Sequence, residues 1–341
     1  MDNVIVQESV VTHASRCKSD VLRVVVTDGS SDIALALIYR ILSDQVFGSD
    51  QSVFISIYEF QDRAVFLESV AIELTLCSPN LLHGITYSDN ASIAFKDANV
   101  VFCIGSAREY AFNEQEYKDL FFKEYVRVAK AYGEFIEEYA NRDARIIVIG
   151  NTAATIISCY AKSIPRKNIT TLALFNAQIA AAHISARANC HPGEIKNIIL
   201  WGNNNTYNFP DCRYMYLTNG NPITDDLKVW LRNDLPTIMQ SLLSRPRYLR
   251  SMAYSLAEHC KILWNGTPDN EWVCMGVLSD HSYDIPAGMF FSYPVFCKDR
   301  NYDIVQGLVD DKYVGRYILS ISRLMTRDVA AALKLCGLNN F

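Results

Sequence analysis

The sequence predicts an α/β fold, a doubly wound parallel sheet followed by a second α/β domain. Three observations carry this. Short unbroken apolar runs recur through the first half, as strands buried on both faces require. Each run but the last is followed by a stretch with helical periodicity, and strands alternating with helices build parallel sheets through crossovers. The second half abandons that alternation and mixes longer helices with clustered strands.

Residues 1–20 are polar, without a period, and read as a tail that a partner orders. LRVVVT (22–27) is the first strand, DGSSD a turn cluster, and IALALIYRILSDQVF (33–47) a helix. VFISIYE (53–59) is the second strand, FLESVAIELTLC (66–77) a helix and NVVFCIG (99–105) the third strand. Residues 114–141 form a long helix, and RIIVIGN (145–151) is the fourth strand. The second half holds an alanine-rich helix (176–188), a strand IKNIILWGN (195–203) and a helical region (222–264). Strands near 272–279 and 287–297 and a terminal helix near 303–337 complete it. The boundary falls near residue 172, giving a tail (1–20), a first domain (21–172) and a second (173–341).

Half of the 341 residues are hydrophobic, 20% are charged and the net charge is −5. Such a chain buries a large core and is not disordered as a whole. The acidic balance argues against a nucleic-acid surface. No apolar run approaches the roughly 18 residues of a membrane span, and the N-terminal stretch lacks the pattern of a secretory signal. A cytoplasmic setting is expected. The ten cysteines form no Cys-x-x-Cys pair and read as reduced thiols. The Asn-x-Ser/Thr matches at Asn90, Asn168, Asn204 and Asn265 are then chance.

Three stretches, in this order and spacing, carry a resemblance. They are VVVTDGSSDIALALIYRIL with VFGSDQ (46–51), KNIILWGN (196–203) and LWNGTPDNEWVCMGVLSD (263–280). FKDANVVFCIGS (95–106), IGN (149–151) and SIPRKN (163–168) fit the same register. From about residue 20 onward the chain resembles cytosolic-type malate dehydrogenase of the lactate/malate dehydrogenase superfamily. Within it, the chain looks most like the divergent malate dehydrogenase 1B-like paralogue of cilia and sperm, which usually carries an extra N-terminal domain for which this sequence has no room. The resemblance implies an NAD(P)-binding Rossmann-like domain at 21–172, a lactate/malate dehydrogenase C-terminal-like domain at 173–341 and a homodimer. Active members oxidise malate with NAD, so each site position is read in turn.

The resemblance places a glycine-rich phosphate loop after the first strand, where glycine lets backbone approach pyrophosphate at a helix N-terminus. Here the loop is Thr27-Asp28-Gly29-Ser30-Ser31-Asp32-Ile33-Ala34. In the ungapped register Asp28 and Ser31 stand at two glycine positions and Ala34 keeps the small third one. A one-residue slip would put Gly29 at the first turn. Asp28 and Asp32 oppose an anion by charge. Glu59, ending the second strand, matches the acidic residue that binds adenosine ribose, and a solvated strand-end carboxylate is the plain alternative. Asn151 matches the asparagine that bonds nicotinamide ribose and substrate, and Gly105 the turn after the third strand. Through Gly29, Glu59, Gly105 and Asn151, NAD stays available; a scaffold would require no cofactor.

The family's general base is a histidine after Trp-Gly-Asn, oriented by an aspartate. Here Trp201-Gly202-Asn203 is followed by Asn204, whose amide accepts no proton at neutral pH. Counting back without gaps, the aspartate position is Asn176 and the substrate-clamping arginine is Ile179. Tyr117 takes the second arginine position of the mobile loop, and Arg108 is displaced from the first. His183, four residues after Ile179, would share its helix face. His259 and Ser251 fall where relatives carry the same residue types. His281 and the Cys190-His191 pair belong to no triad or metal set.

These replacements predict a pseudoenzyme acting as a structural or interaction module. The resemblance points to the axoneme of a cilium or sperm flagellum, with ciliary structural proteins contacting the tail or a tyrosine-rich surface at Tyr110, Tyr117, Tyr125 and Tyr132. The alternatives are a weakly active malate dehydrogenase, with His183 as a substitute base, and an NAD(H) sensor without turnover.

Overall fold

The computed structural model describes residues 6–9, 20–43, 46–77, 80–105, 115–204, 207–243 and 249–338. The first half contains β1 (Val6–Ser9), β2 (Leu22–Val26), α1 (Asp32–Ser43), β3 (Val53–Tyr58), α2 (Leu67–Cys77) and β4 (Leu82–Ser88). It continues with α3 (Ala91–Ala94), β5 (Val100–Cys103), α4 (Gln115–Tyr139), β6 (Arg145–Val148), α5 (Asn151–Tyr160) and β7 (Ile169–Thr171). The second half adds α6 (Leu174–Ala188), β8 (Ile195–Lys196), β9 (Ile199–Gly202), β10 (Asn208–Asp211), β11 (Tyr216–Leu217) and α7 (Asp225–Asn233). It ends with α8 (Leu235–Leu243), α9 (Leu249–Asn265), β12 (Val273–Leu278), β13 (Phe290–Lys298), β14 (Asn301–Ile304) and α10 (Lys312–Leu335).

Among the described residues one sheet runs β1-β4-β3-β2-β5-β6-β7-β12-β13-β9-β10, with β14 beside β13. From β4 to β7 every pairing is parallel, and beyond β7 every pairing is antiparallel. The strand order reverses between β2 and β5, which makes the doubly wound switch point. The predicted α/β class therefore holds, and Val24, Val25 and Val26 are all buried, as a central parallel strand demands. Within the segment read as a tail, Val6–Ser9 pairs antiparallel with β4, so this chain's own sheet edge orders it.

Some elements differ from their sequence expectation. β4 lies between the second and third expected strands; His83 and Gly84 break its apolar run. The expected strand 195–203 is two strands, because Asn197 turns left-handed at φ 60°. The helical region 222–264 divides into α7, α8 and α9. Asp234 ends α7, and Pro236 sits in the first turn of α8, where its missing N–H costs nothing. The terminal helix starts only at Lys312, capped by the Asp311 carboxylate, which accepts the Tyr313 N–H at 2.7 Å. Tyr125 and Tyr132, expected on a surface, are buried, because α4 lays that face against Val101 and Val148 of the sheet and Ile157 of α5. Tyr110 lies outside the described residues, and Tyr117 falls in the first turn of α4.

The two halves share their cores. Met252, Ala253, Leu256 and Cys260 of α9 pack in one cluster with Leu37 and Ile41 of α1 and Val24 of β2. On the opposite face Val329, Ala332 and Leu333 of α10 join Ala129 and Ile136 of α4 and Ile157 of α5.

Candidate functional site

Proteins with this topology bind ligands where the strand order reverses, beyond the carboxyl ends of the strands. Here that place is the loop from Thr27 to Ser31. Asp28 adopts φ 53°, the left-handed conformation that favours glycine. Gly29 is not left-handed. It is glycine for another reason: a Cβ there would overlap Ile57 Cγ2 and stand 2.9 Å from Leu67 Cδ2. Its smallness lets the loop lie against β3 and α2.

Several of the loop's polar groups are bound by the chain itself. The Gly29 N–H donates to Tyr58 O at 3.0 Å and the Ser31 N–H to Asp28 O at 2.9 Å. The Ser31 hydroxyl caps α1, accepting the Ala34 N–H at 3.2 Å. Glu59 is only 1% exposed. Its carboxylate accepts from the Ser30 hydroxyl at 2.7 Å and from the Phe60 N–H at 3.0 Å. Arg63 stands 3.3 Å from the Asp28 carboxylate and 4.0 Å from that of Glu59. Two buried carboxylates are thus gathered around one guanidinium. Neither Ser30 nor Arg63 stood out in the sequence, because the turn at 60–63 that brings Arg63 back to Glu59 has no period.

Beside this loop, the Tyr132 ring stacks on Phe60 with centroids 5.9 Å apart, and the Arg127 guanidinium lies 5.0 Å above the Phe60 ring. A Cβ at Gly105 would meet the Tyr132 hydroxyl at 2.6 Å. Burial raises the Tyr132 phenol well above its ordinary pKa, so it stays protonated. Arg108 lies outside the described residues.

The Trp-Gly-Asn stretch closes the hairpin between β9 and β10. Gly202 has φ 107°, and a Cβ there would overlap the Tyr207 carbonyl oxygen. The Asn203 N–H donates to Tyr207 O at 2.8 Å, and the Tyr207 N–H donates back to Asn203 Oδ1 at 3.1 Å. Trp201 is wholly buried and donates its indole N–H to Asp211 at 3.2 Å. Arg213 grips both oxygens of the same carboxylate at 2.9 and 2.8 Å. This frame holds Asn204, also buried, at the turn.

Helix α6 packs against β9 and carries the other two positions. Asn176 is fully buried, and among the described residues neither its Oδ1 nor its Nδ2 has a hydrogen-bond partner. Ile179 is half-buried and packs toward α9. It lines an open groove of about 490 Å³ with Phe175, His183, His191, Ser251 and Tyr254. His183 therefore does share a face with Ile179. His191 acts as a cap: its Nδ1 accepts the Gly193 N–H at 3.1 Å. His259 is wholly buried in α9 with Nε2 2.8 Å from Thr170 Oγ1, and burial pushes its pKa down to about 3. It is a neutral core histidine. His281 is exposed at a left-handed turn. Asn151 opens α5, buried, and donates its amide to Phe290 O at 3.1 Å. Among the described residues no group of three His, Cys, Asp or Glu side chains is placed to hold a metal.

The fold and this site define a class: a dinucleotide-fold α/β chain whose parallel sheet, with its strand-order reversal, continues into an antiparallel half. Residues 249–316 match the family model of the lactate/malate dehydrogenase alpha/beta C-terminal domain. The chain is 32% identical over 307 residues to cytoplasmic malate dehydrogenase of Bos taurus, covering 85% of this chain and 90% of that one. Its identity to the Beta vulgaris cytoplasmic enzyme is 33% over 307 residues, covering 85% and 91%. Malate dehydrogenase from Naegleria fowleri superposes with TM-score 0.85 at 24% identity, covering 93% of this chain and 99% of that one. Trichomonas vaginalis lactate dehydrogenase in complex with NADH and oxamate gives TM-score 0.83 at 18% identity, covering 93% and 99%. The chain belongs to the lactate/malate dehydrogenase superfamily and is malate dehydrogenase-like.

Several groups that a dinucleotide would use are engaged by the chain itself. A pyrophosphate draws on N–H groups of such a loop and helix start, and here Tyr58 O, Asp28 O and Ser31 Oγ accept three of them. A ribose diol needs the Glu59 carboxylate that Ser30 and Phe60 hold inside.

Proposed function

We propose that this chain keeps the dehydrogenase fold as a binding and scaffolding module and does not interconvert malate and oxaloacetate. The observation that supports this most is the set Asn176, Ile179 and Asn204. Two buried amides and an alkyl group stand where the family places an aspartate, an arginine and a histidine. An amide neither removes the hydroxyl proton of malate nor stabilises an imidazolium by charge. Ile179 offers no fork of donors to a substrate carboxylate. Loss of a positioned base alone slows such a reaction by roughly 10²–10⁴-fold.

The test is oxaloacetate-dependent NADH oxidation by the purified chain at high protein concentration, with Asn204→Ala as blank. Equal rates support the proposal. Turnover above the blank returns the second reading, a weakly active NAD-dependent malate dehydrogenase. That reading draws on the similarity to the cytoplasmic enzymes along 85% of the chain and on the retained Asn151. A thermal shift with millimolar NADH but no turnover would instead make the chain a sensor. The homodimer and the ciliary or flagellar setting rest on the sequence resemblance. Sedimentation of the full chain tests the first, and retention on detergent-extracted axonemes tests the second.

A further inference from the structure

Away from the switch point, a cavity of about 360 Å³ opens between β10, α7 and the start of α10. That volume lies within the range of small-molecule sites. Its walls are apolar: Phe209, Ile223, Leu231 and Val314. Charged groups also line it, and their existing partners separate them into two kinds.

The deep ones are spent. Asp211 takes both forks of Arg213 and the Trp201 indole N–H. Arg213 also reaches Asp310 at 2.8 Å and Leu308 O at 2.9 Å. Asp311 caps α10. The two cations at the mouth are different. Lys228 and Arg232 sit four residues apart on one face of α7, where like charges repel. Among the described residues Lys228 is paired at 2.9 Å only with Asp225, a side chain 95% exposed, and such a pair contributes little. Arg232 has no carboxylate partner among the described residues; its guanidinium stands 6.0 Å from the ring centroid of Tyr313, itself more than half exposed. Two weakly engaged cations and an aromatic ring thus rim an apolar hole.

We propose that this cavity binds a small organic carboxylate with an apolar body. The body fills the space against Phe209, Ile223 and Leu231, and the carboxylate lies between Lys228 and Arg232. The guanidinium supplies a paired-donor geometry that the ammonium alone lacks. This site is independent of the dehydrogenase positions and of whether they turn over substrate.

The experiment is methyl NMR on the full chain, titrated with 4-phenylbutyrate and, separately, with its neutral amide. The Ile223, Leu231 and Val314 methyls are expected to shift saturably with the acid and about tenfold more weakly with the amide. A Lys228→Gln/Arg232→Gln variant should bind the acid no better than the amide, its spectrum otherwise unchanged. Ile223→Trp, which fills the hole, should abolish both. The proposal is overturned if those methyls stay fixed up to acid concentrations on the order of 5 mM. It is equally overturned if acid and amide titrate alike, or if the double variant binds the acid like the parent.

Discussion

Placing a carboxylate at position 176 is the sharpest test of the buried site. Asn176 is fully buried and neither amide atom has a partner among the described residues. In an Asn176→Asp variant the ionised form would meet no cation and no donor among its described neighbours. Burial alone raises such a carboxyl by up to about 3–5 units from an ordinary value near 3.9. With a rise of about 3 units, keeping the group protonated at pH 7 costs about 4 kcal/mol, at about 1.36 kcal/mol per unit. The sign follows from linkage. The folded pKa lies above the unfolded one, so the loss is absent below about pH 4 and grows as pH rises to 7. For 341 residues the unfolding entropy is about 0.7 kcal/mol/K, so the variant should melt about 6 °C lower at pH 7. Urea melts of variant and parent at pH 4.5, 6 and 7.5 read the difference directly. A gap that is constant with pH, or no gap at all, would refute the reasoning. It would mean that position 176 faces a donor or a cation. The companion Asn176→Leu removes the unpaired amide in a similar volume and should stabilise by about 1 kcal/mol.

Three further outcomes are expected. Gly202→Ala should cost about 3 kcal/mol or more, because its Cβ overlaps the Tyr207 carbonyl and φ is 107°; an unchanged chemical-denaturation midpoint would contradict the hairpin geometry. Arg213→Ala leaves the Asp211 charge buried against Trp201 and should destabilise by about 3 kcal/mol, visible as early loss of Trp201 burial by fluorescence. His259, neutral when folded with a pKa near 3, contributes stability that is present above about pH 6.5 and lost as pH falls toward 3; an imidazole NMR titration near pH 6.5 in the native state would disprove its burial.

The parallel half was legible because a strand covered on both faces must be apolar throughout, as Val24–Val26 and Ile146–Val148 are. β4 was not, since His83 and Gly84 interrupt it and its place comes from β3 beside it. β7 is three residues long and β8 two, too short for any period to register. At the site, the turn after the first strand was legible from the DGSSD cluster, and Asp28 is left-handed there. Sequence alone could not give the inward turn of Glu59, because Ser30 and Arg63 approach it from other elements. The tyrosines of α4 misled for the same reason. Their period fits a helix face, but only the sheet decides that the face points inward.

The packing of α9 onto α1 also sets a timetable for synthesis. The α1 face that holds Leu37 and Ile41 is completed by Met252, Leu256 and Cys260. Those residues leave the ribosome more than about 200 positions later, a wait of roughly 10–40 s at 5–20 residues per second. Until then the nascent chain carries an uncovered greasy stripe on its first helix. Translation speed and chaperone supply, rather than final stability, should therefore govern how much of this protein a cell recovers.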